Sequence, residues 1–478
     1  MRKTKIVCTL GPATDDDKVL RAMIAAGMNV ARLNFSHGSH EEHKIRADKI
    51  KALRAELDIP IALMIDTKGP DIRVGRFKDN FVELRSGERF TLTTVPCEGD
   101  VTKASVTYPE LCLKLKPGDS IMLDDGLIDM RVESVTDTEA VCILINGGII
   151  SNNKSVNVPG VKLDIPYMRE KDVEDINFAI DNDFDYVAAS FVRSAEDVWQ
   201  VRRILEERGA GNIRIISKIE DSEGLENIDE ILELSDSIMI ARGDMGVELP
   251  FADLPAIQKM LIKKALSAGK NTITATQMLE SMIKKPRPTR AEVSDVANAI
   301  YDGTDAIMLS GETSVGLYPV ETVATMARIA EVTEADINYE NRFFQLDWKE
   351  RPQSTADAIS YAVCAASYQL DLSAIFALTQ SGITAQMVSR YRPQGGFMAF
   401  TPDEKVYRQL ALNWGCTPIL LESKNSQSEM FLAAGNAAKA KGLVKGGDHV
   451  IFTAGMPFGH PGGTNMMQID VIDSGNGN

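Results

Sequence analysis

The sequence predicts an α/β protein: a (β/α)8 TIM barrel, a small β domain inserted within it, and a second α/β domain at the carboxyl end. Three observations carry this reading. Eight short β-branched runs recur before residue 343, with helical patterns between most of them. That alternation implies a parallel sheet, and eight repeats imply a closed barrel. The connection from Ile65 to Tyr186 is far too long for a barrel loop and carries alternating strand patterns instead of helix. Beyond residue 343 the strand–helix alternation starts again. A length of 478 residues agrees, at roughly 150 residues per domain.

The barrel strands are expected at Lys5–Thr9, Asn29–Leu33, Ile61–Ile65, Tyr186–Ser190, Ile213–Lys218, Ser237–Ala241, Thr272–Thr276 and Ala306–Leu309. Helices are expected at Asp16–Ala26, Glu41–Leu57, Ala195–Arg208, Leu254–Ala268, Ser294–Tyr301 and Val320–Ala335. The insertion spans Asp71–Pro166, bounded by Gly69-Pro70 and Ile165-Pro166, where proline breaks regular structure. Removing its 96 residues from 1–342 leaves 246, the size of a barrel of roughly 250 residues. The domains are therefore 1–70 with 167–342, 71–166, and 343–478. In the last, a helix at Ser354–Leu370 precedes strands at Ala374–Thr379, Phe397–Thr401, Thr417–Leu421, His449–Thr453 and Met467–Ile472. The linker Asn338–Arg351 is polar and aromatic, and the tail Asp473–Asn478 reads as disordered.

Composition narrows the function. Hydrophobic residues at 44% and charged residues at 25% fit a globular chain with a sizeable core. A net charge of −16 argues against a nucleic-acid binder, although a local cluster of donors can still take a small phosphorylated ligand. Six cysteines form no CxxC pair and no dense framework, which fits a reducing cytoplasm. The apolar run after the basic start stops at Gly11-Pro12, too short for a signal peptide, and no apolar stretch is long enough to span a membrane.

Barrel chemistry sits at the carboxyl ends of the strands. Residues two apart on a strand share a side, so Arg32, Asn34 and Ser36 project together from the second strand. A guanidinium suits phosphate, and the neutral oxygens suit a hard cation; the alternative is a hydrogen-bonded loop. The third strand ends in Asp66-Thr-Lys-Gly-Pro-Asp-Ile-Arg73, either charged machinery or a salt-bridged rim. Lys218 and Glu220 share a face at the fifth strand end, and Asp244 lies at the sixth. Two neighbouring carboxylates are costly unless a cation joins them, and a site with few protein ligands suits Mg²⁺. The alternative pairs one carboxylate with Lys218 and the other with backbone. Thr276 and Ser310, at the last two strand ends, could position water or relay a proton, or simply cap helices. His37, His40 and His43 mimic a metal cluster, but i and i+6 lie roughly 120° apart on a helix. A zinc site is therefore not expected, and His40 and His43 should begin a solvated helix. Cys8 is the one thiol among the strand ends, and nothing marks it as a nucleophile. This donor set suits phosphoryl transfer, where positioning and charge neutralisation do most of the catalysis.

Seven segments, Arg32–Gly38, Asp66–Arg73, Ser217–Glu220, Ala241–Gly246, Ala275–Met282, Pro286–Glu292 and Met308–Thr313, together resemble the pyruvate kinase family, in family order. The resemblance covers essentially the whole chain. It implies transfer of the phosphoryl group of phosphoenolpyruvate to ADP, giving ATP and pyruvate, with Mg²⁺ (or Mn²⁺) and K⁺. Lys218 matches the lysine that stabilises the phosphoryl group in flight, and Glu220 and Asp244 match the divalent-metal ligands. Arg32 matches a phosphate contact; Gly243, Asp244 and Thr276 match the region holding the substrate carboxylate. Thr276 and Ser310 match hydroxyls near the path that protonates the enolate. Asn34, Ser36, Asp66 and Thr67 match the K⁺ ligands. Asn34, His37, Arg73 and Lys154 match nucleotide contacts, with Lys154 on a small β-barrel lid formed by the insertion. An acidic residue at Asp71 goes with K⁺ dependence in the family. Asp221, Ser155, Ser314 and Lys285 depart from common family residues, and Ser155 bears on where Lys154 sits.

In the carboxyl-terminal domain, Thr379, Ser381, Gly382 and Thr384 lie between a strand and a helix, where hydroxyls and free amides can hold an anion. The resemblance implies a sugar-phosphate effector site. Gln380 and Ile383 stand where some relatives place basic residues, so a nucleotide monophosphate or pentose phosphate is the alternative effector, and an ordinary capped turn the bland reading. The resemblance further implies a cytoplasmic homotetramer without an appended carboxyl-terminal domain. Two rivals are a Mg²⁺-dependent lyase or mutase acting on phosphoenolpyruvate or pyruvate enolate, and a catalytically silent metabolite sensor. The long insertion argues against the first; the set Lys218, Glu220 and Asp244 argues against the second.

Overall fold

The computed structural model describes residues 2–346, 354–457 and 463–474. Residues 347–351 of the expected linker and 475–478 of the expected disordered tail lie outside these.

Eight strands close a parallel barrel. They are β1 (Lys5–Thr9), β2 (Val30–Asn34), β3 (Ala62–Asp66) and, beyond the insertion, β12 (Tyr186–Ala189), β13 (Arg214–Ile219), β14 (Ser237–Ala241), β15 (Asn271–Ala275) and β16 (Ala306–Leu309). The order β1-β16-β15-β14-β13-β12-β3-β2 makes every strand a neighbour of the next in the chain. Each expected strand lies within a residue or so of its position. Every residue of β1, β3, β14 and β15 is buried, because helices cover the outer face and packed side chains fill the interior. Val7, Met64, Tyr186, Met239, Ile273 and Met308 are among the interior residues. A helix the alternation did not include, Glu170–Asp181, follows the insertion. Its polar first turn and few apolar positions hid its period.

Between β3 and β12 run β4 (Phe81–Leu84), β5 (Arg89–Thr93), β6 (Lys103–Ser105), β7 (Ser120–Leu123), β8 (Ile128–Val135), β9 (Glu139–Leu144), β10 (Gly148–Ser151) and β11 (Val156–Asn157). Six of them form a sheet in the order β11-β7-β8-β9-β5-β6, and β4 and β10 make a two-stranded ribbon. The sheet curls around one apolar core that includes Phe90, Leu92, Ile121, Met130 and Cys142. Its edges are drawn together by one segment: Arg73 bridges Ser155 beside β11, and Val74 bridges Val106 beside β6. Alternating buried and exposed residues, as in Phe81–Leu84, are why this region reads as strand.

The last domain holds β17 (Ala374–Leu378), β18 (Phe397–Thr401), β19 (Cys416–Leu420), β20 (His449–Ala454) and β21 (Met466–Val471), in the order β19-β18-β17-β20-β21. Only β21 runs antiparallel to its neighbour. This domain also closes the floor of the barrel. Leu412 is fully buried among the barrel-interior side chains. Around it, Tyr186 donates its hydroxyl to the Gln409 carbonyl at 2.6 Å, and Lys5 Nζ donates to the Cys416 carbonyl at 2.6 Å. Arg408 bonds Asp185 at 2.7 Å and Arg392 bonds Asp305 at 2.7 Å, so both acids at the strand starts are answered by the second domain. The carboxyl ends of the strands are left as the open mouth.

Candidate active site

Strand pairing sets the mouth. Thr9 lies level with Arg32, and Asn34 with Asp66, so the ends of β1, β2 and β3 converge. Arg32 is 5% exposed. Its Nε donates to Asp66 Oδ2 at 2.6 Å, and its Nη1 donates to Thr9 Oγ1 at 2.8 Å and Ser310 Oγ at 3.3 Å. Lys218 Nζ sits between three acceptors: Ser190 Oγ at 2.7 Å, Asp66 Oδ1 at 3.0 Å and Glu220 Oε1 at 3.0 Å. Burial works against the Lys218 charge, but Asp66, Glu220 and Asp244 outweigh it and hold the ammonium above its usual range. Burial likewise opposes ionisation of Asp66, and Arg32 and Lys218 overcome it, so this carboxyl lies below its usual range.

Glu220 stands the other way. Burial pushes its carboxyl up, Lys218 pulls it down, and Asp244 and Asp66 push it further up. Its Oε2 accepts from the Phe191 amide at 2.6 Å. Its Oε1 is buried and, although 3.0 Å from Lys218 Nζ, makes no well-angled hydrogen bond. So one carboxylate meets both the lysine, through an ion pair at Oε1, and the backbone, through a hydrogen bond at Oε2. Among the described residues no three His, Cys, Asp or Glu side chains form a metal cage by themselves. A carboxylate beside Asp244 whose Oε1 is ion-paired but makes no well-angled hydrogen bond fits a cation that keeps several water or substrate ligands.

Thr276 has φ +69° and Gln277 φ +55°, a conformation costly for a β-branched residue. The turn is held by hydrogen bonds. The Gly243 amide donates to Thr276 Oγ1 at 2.8 Å, and Arg242 Nη2 donates to the Thr276 carbonyl at 2.8 Å while its Nη1 meets Asp295 at 2.7 Å. A Cβ at position 243 would come within 3.2 Å of Thr276 Oγ1, so any other residue would crowd this hydroxyl and push it by a few tenths of an ångström.

The other expected residues fall into two groups. Arg32, Asn34, Ser36, His37, Arg73 and Ser310 line one cleft of about 720 Å³, together with Lys218, Glu220, Asp244 and Thr276. Asn34 Oδ1 accepts from the Ser36 amide at 3.1 Å, Asn34 lies level with Asp66, and Thr67 follows Asp66 in the chain, so the four expected K⁺ ligands Asn34, Ser36, Asp66 and Thr67 are near one another. Asp71 joins Arg73, Lys68 and Arg169 where the lid meets the barrel. The insertion forms the other wall: Asn157 donates to Glu248 at 2.8 Å. Lys154 lies apart from the rest, with Nζ on Asp124 of the insertion at 2.7 Å. In the distant turn, Thr379 Oγ1 accepts from the Gly382 amide at 2.9 Å, Arg214 donates to the Ser381 carbonyl at 2.8 Å, and Thr464 donates to the buried Thr384 hydroxyl at 2.8 Å.

The histidines need a correction. His43 is 3% exposed, not solvated: it stacks on Phe35 at 4.1 Å and bonds the His37 carbonyl at 2.8 Å. His40 bonds Asp175 at 2.6 Å, so the three do not converge on an ion. Cys8 is fully buried, and burial pushes its thiol well above the usual range, as an inert structural thiol requires. Two site residues were missed in the sequence, Thr9 and Ser190. Each is a hydroxyl at the end of a predicted barrel strand, and that position was the available signal.

Residues 1–323 match the family model "Pyruvate kinase, barrel domain", and residues 357–470 match "Pyruvate kinase, alpha/beta domain". Proteins named pyruvate kinase from Clostridium acetobutylicum and Clostridium perfringens are each 48% identical over 474 residues, covering 99% of this chain and 100% of theirs. One from Staphylococcus aureus is 48% identical over 474 residues, covering 99% of this chain and 81% of its own.

Proposed function

The chain belongs to the pyruvate kinase family, and from that membership we propose how its own residues carry the reaction. It is a phosphotransferase, moving the phosphoryl group of phosphoenolpyruvate to ADP to give ATP and pyruvate. The observation that carries the assignment of roles is the buried Lys218 ammonium at the mouth, kept charged by Asp66, Glu220 and Asp244. Lys218 and Arg32 neutralise the phosphoryl oxygens as the group passes between donor and acceptor oxygens. Gly243, Asp244 and Thr276 seat the substrate carboxylate; the strained Thr276 turn keeps that seat rigid before substrate arrives.

Once the phosphoryl group leaves, the enolate must gain a proton on carbon. Thr276 and Ser310 place hydroxyls beside it, and Arg32, bonded to Ser310, fixes the second. Glu220 and Asp244 would hold Mg²⁺, and Oε1 of Glu220, ion-paired but without a well-angled hydrogen bond, supports the fit; when bound, the ion supplies further charge neutralisation on the substrate oxygens. Asn34, Ser36, Asp66 and Thr67 would hold K⁺. Asn34, His37, Arg73 and Lys154 would meet the nucleotide, Lys154 by leaving Asp124 as the lid closes and excludes water.

The division into 1–70 with 167–342, 71–166 and 343–478 assigns catalysis, closure and regulation to separate units. The turn Thr379–Thr384 would take a sugar phosphate or nucleotide, and Thr384→Glu should abolish its activation; an unchanged response would reject the site. A cytoplasmic homotetramer is the expected working form; among the described residues no helix is long and apolar enough to cross a membrane.

The test is formation of ATP and pyruvate from phosphoenolpyruvate, ADP and Mg²⁺, with and without K⁺. Turnover that rises with K⁺ supports the reading. No turnover from the folded protein, with sugar phosphates and AMP also added, would overturn it.

A further inference from the structure

We propose that the buried Ser190 hydroxyl is a positioning residue for Lys218, fixing the direction of its ammonium between the two neighbouring carboxylates and toward the transferring group. The proposal rests on the role given to Lys218 above.

Ser190 follows β12 directly and is 2% exposed. Lys218 Nζ donates to its oxygen at 2.7 Å, the shortest of the three contacts around that nitrogen. A hydroxyl has one proton to give. The nearer acceptor for it is the Thr67 carbonyl at 2.6 Å, with Asp66 Oδ1 further off at 3.2 Å. Its proton therefore goes to the backbone, and its lone pairs face the lysine. The backbone is fixed as well. The Ser190 amide donates to Thr67 Oγ1 at 3.2 Å, and the next residue, Phe191, holds φ +52° while its amide binds Glu220 at 2.6 Å. Lys218 thus has two charged acceptors that attract it strongly and one neutral acceptor that sets its direction. Take the neutral one away and only the pull of Glu220 and Asp66, each already 3.0 Å from the ammonium, sets its direction, away from the phosphoryl path. Arg32 and the Thr276 turn make no hydrogen bond to Ser190, so substrate binding should survive.

The test compares Ser190→Ala with Ser217→Ala. Ser217 is fully buried one residue before Lys218, but its hydroxyl pairs with Ser235 at 2.6 Å. It controls for the loss of a buried hydroxyl as such. With saturating Mg²⁺ and K⁺, Ser190→Ala should lower kcat about 10- to 100-fold, the worth of one hydrogen bond to a charged group, with KM for phosphoenolpyruvate within about threefold. Ser217→Ala should stay within about twofold in both. Ser190→Cys keeps the shape but accepts weakly, and should fall between wild type and Ser190→Ala; it replaces the alanine variant if that one does not fold. A kcat within twofold of wild type in Ser190→Ala, an equal fall in Ser217→Ala, or a loss confined to KM would overturn the proposal. Those results beside an inactive Lys218→Met would leave the role of Lys218 standing; an active Lys218→Met would remove the premise.

Discussion

Replacing Lys218 by methionine keeps the length of the side chain and removes its charge, and the surroundings dictate two separate consequences. The first is chemical. A preorganised donor aimed at developing charge is typically worth a factor of about 10² to 10³ in kcat, and here it sits buried, where its effect is least screened. We expect kcat to fall at least about 10³-fold, with KM for phosphoenolpyruvate changed far less, because Arg32 keeps its own bonds to Asp66 and Thr9. The second is structural. Asp66 and Glu220 lose the cation that lies 3.0 Å from each, and breaking a buried ion pair from one side costs about 3–5 kcal/mol. Asp66 keeps Arg32 at 2.6 Å, so most of the cost falls on Glu220. Glu220 can lower it by taking a proton. Its folded carboxyl is already raised by burial, and without Lys218 it rises further. The folded variant then holds a proton that the unfolded chain has released, so its stability falls as pH rises above the ordinary glutamate range. Adding Glu220→Gln removes that charge and should recover part of the loss, with no recovery of activity. The assays are steady-state turnover and urea unfolding from pH 5 to 8. A kcat within tenfold of wild type would refute the chemical reasoning; an undiminished stability, or no rescue by Glu220→Gln, would refute the electrostatic one.

Lys5 is 7% exposed, and burial pushes its ammonium down from 10.5 to about 8, a cost of about 3 kcal/mol that is complete below pH 8 and vanishes by about pH 10.5. Lys5→Met also forfeits the bond to the Cys416 carbonyl, worth about 1–2 kcal/mol, so it should stabilise the fold by about 1–2 kcal/mol at pH 7 and lose that margin between pH 8 and 10.5; a gap flat with pH in chemical unfolding contradicts this. Leu412→Ala opens a cavity beneath the barrel and should cost about 2–5 kcal/mol in unfolding experiments, with KM for both substrates unchanged because the mouth is at the other end; a cost below about 1 kcal/mol would show that the plug is loose. Asp71→Lys places a cation among Arg73, Lys68 and Arg169 and should abolish activation by K⁺, measured as the ratio of turnover with and without the salt; an unaltered ratio would separate Asp71 from K⁺ dependence.

The barrel was legible because each of its strands is short, β-branched and followed by a polar residue, and because burial on both faces leaves no polar alternation to confuse the period. The strand ends were legible for the same reason: Arg32, Lys218 and Glu220 are charged residues where an apolar strand stops. Partners from other elements were not. Ser190 is one serine among many until the fold sets its oxygen 2.7 Å from Lys218. Lys5 reads as an ordinary basic residue near the start of the chain, and only the second domain, by covering the floor, buries it. Leu412 belongs by sequence to the carboxyl-terminal domain and by packing to the barrel. His43 looked solvated because its helix begins in a polar run, whereas Phe35 from the preceding loop folds back across its ring. In each case the missing information is a contact between segments far apart in the chain, which neither period nor spacing carries.

A chain with a net charge of −16 that handles anionic substrates poses an apparent conflict, and Asp66 resolves it. Arg32 and Lys218 would repel each other at the barrel mouth if both were to face a phosphoryl group unaided. Asp66 gives one oxygen to each, Oδ2 to Arg32 at 2.6 Å and Oδ1 to Lys218 at 3.0 Å, and is itself 1% exposed. It therefore holds two cations close together in a place where water cannot screen them and where their donors are already oriented. The carboxylates Glu220 and Asp244 then set the other side of the mouth, where, on the proposed reading, a divalent cation would add to the positive charge. Net charge describes the surface seen from afar. On the proposed reading the reaction depends on this arrangement of a few buried groups, whose sum is small and whose directions are fixed by β2, β3 and β13 together with the segment that follows β14.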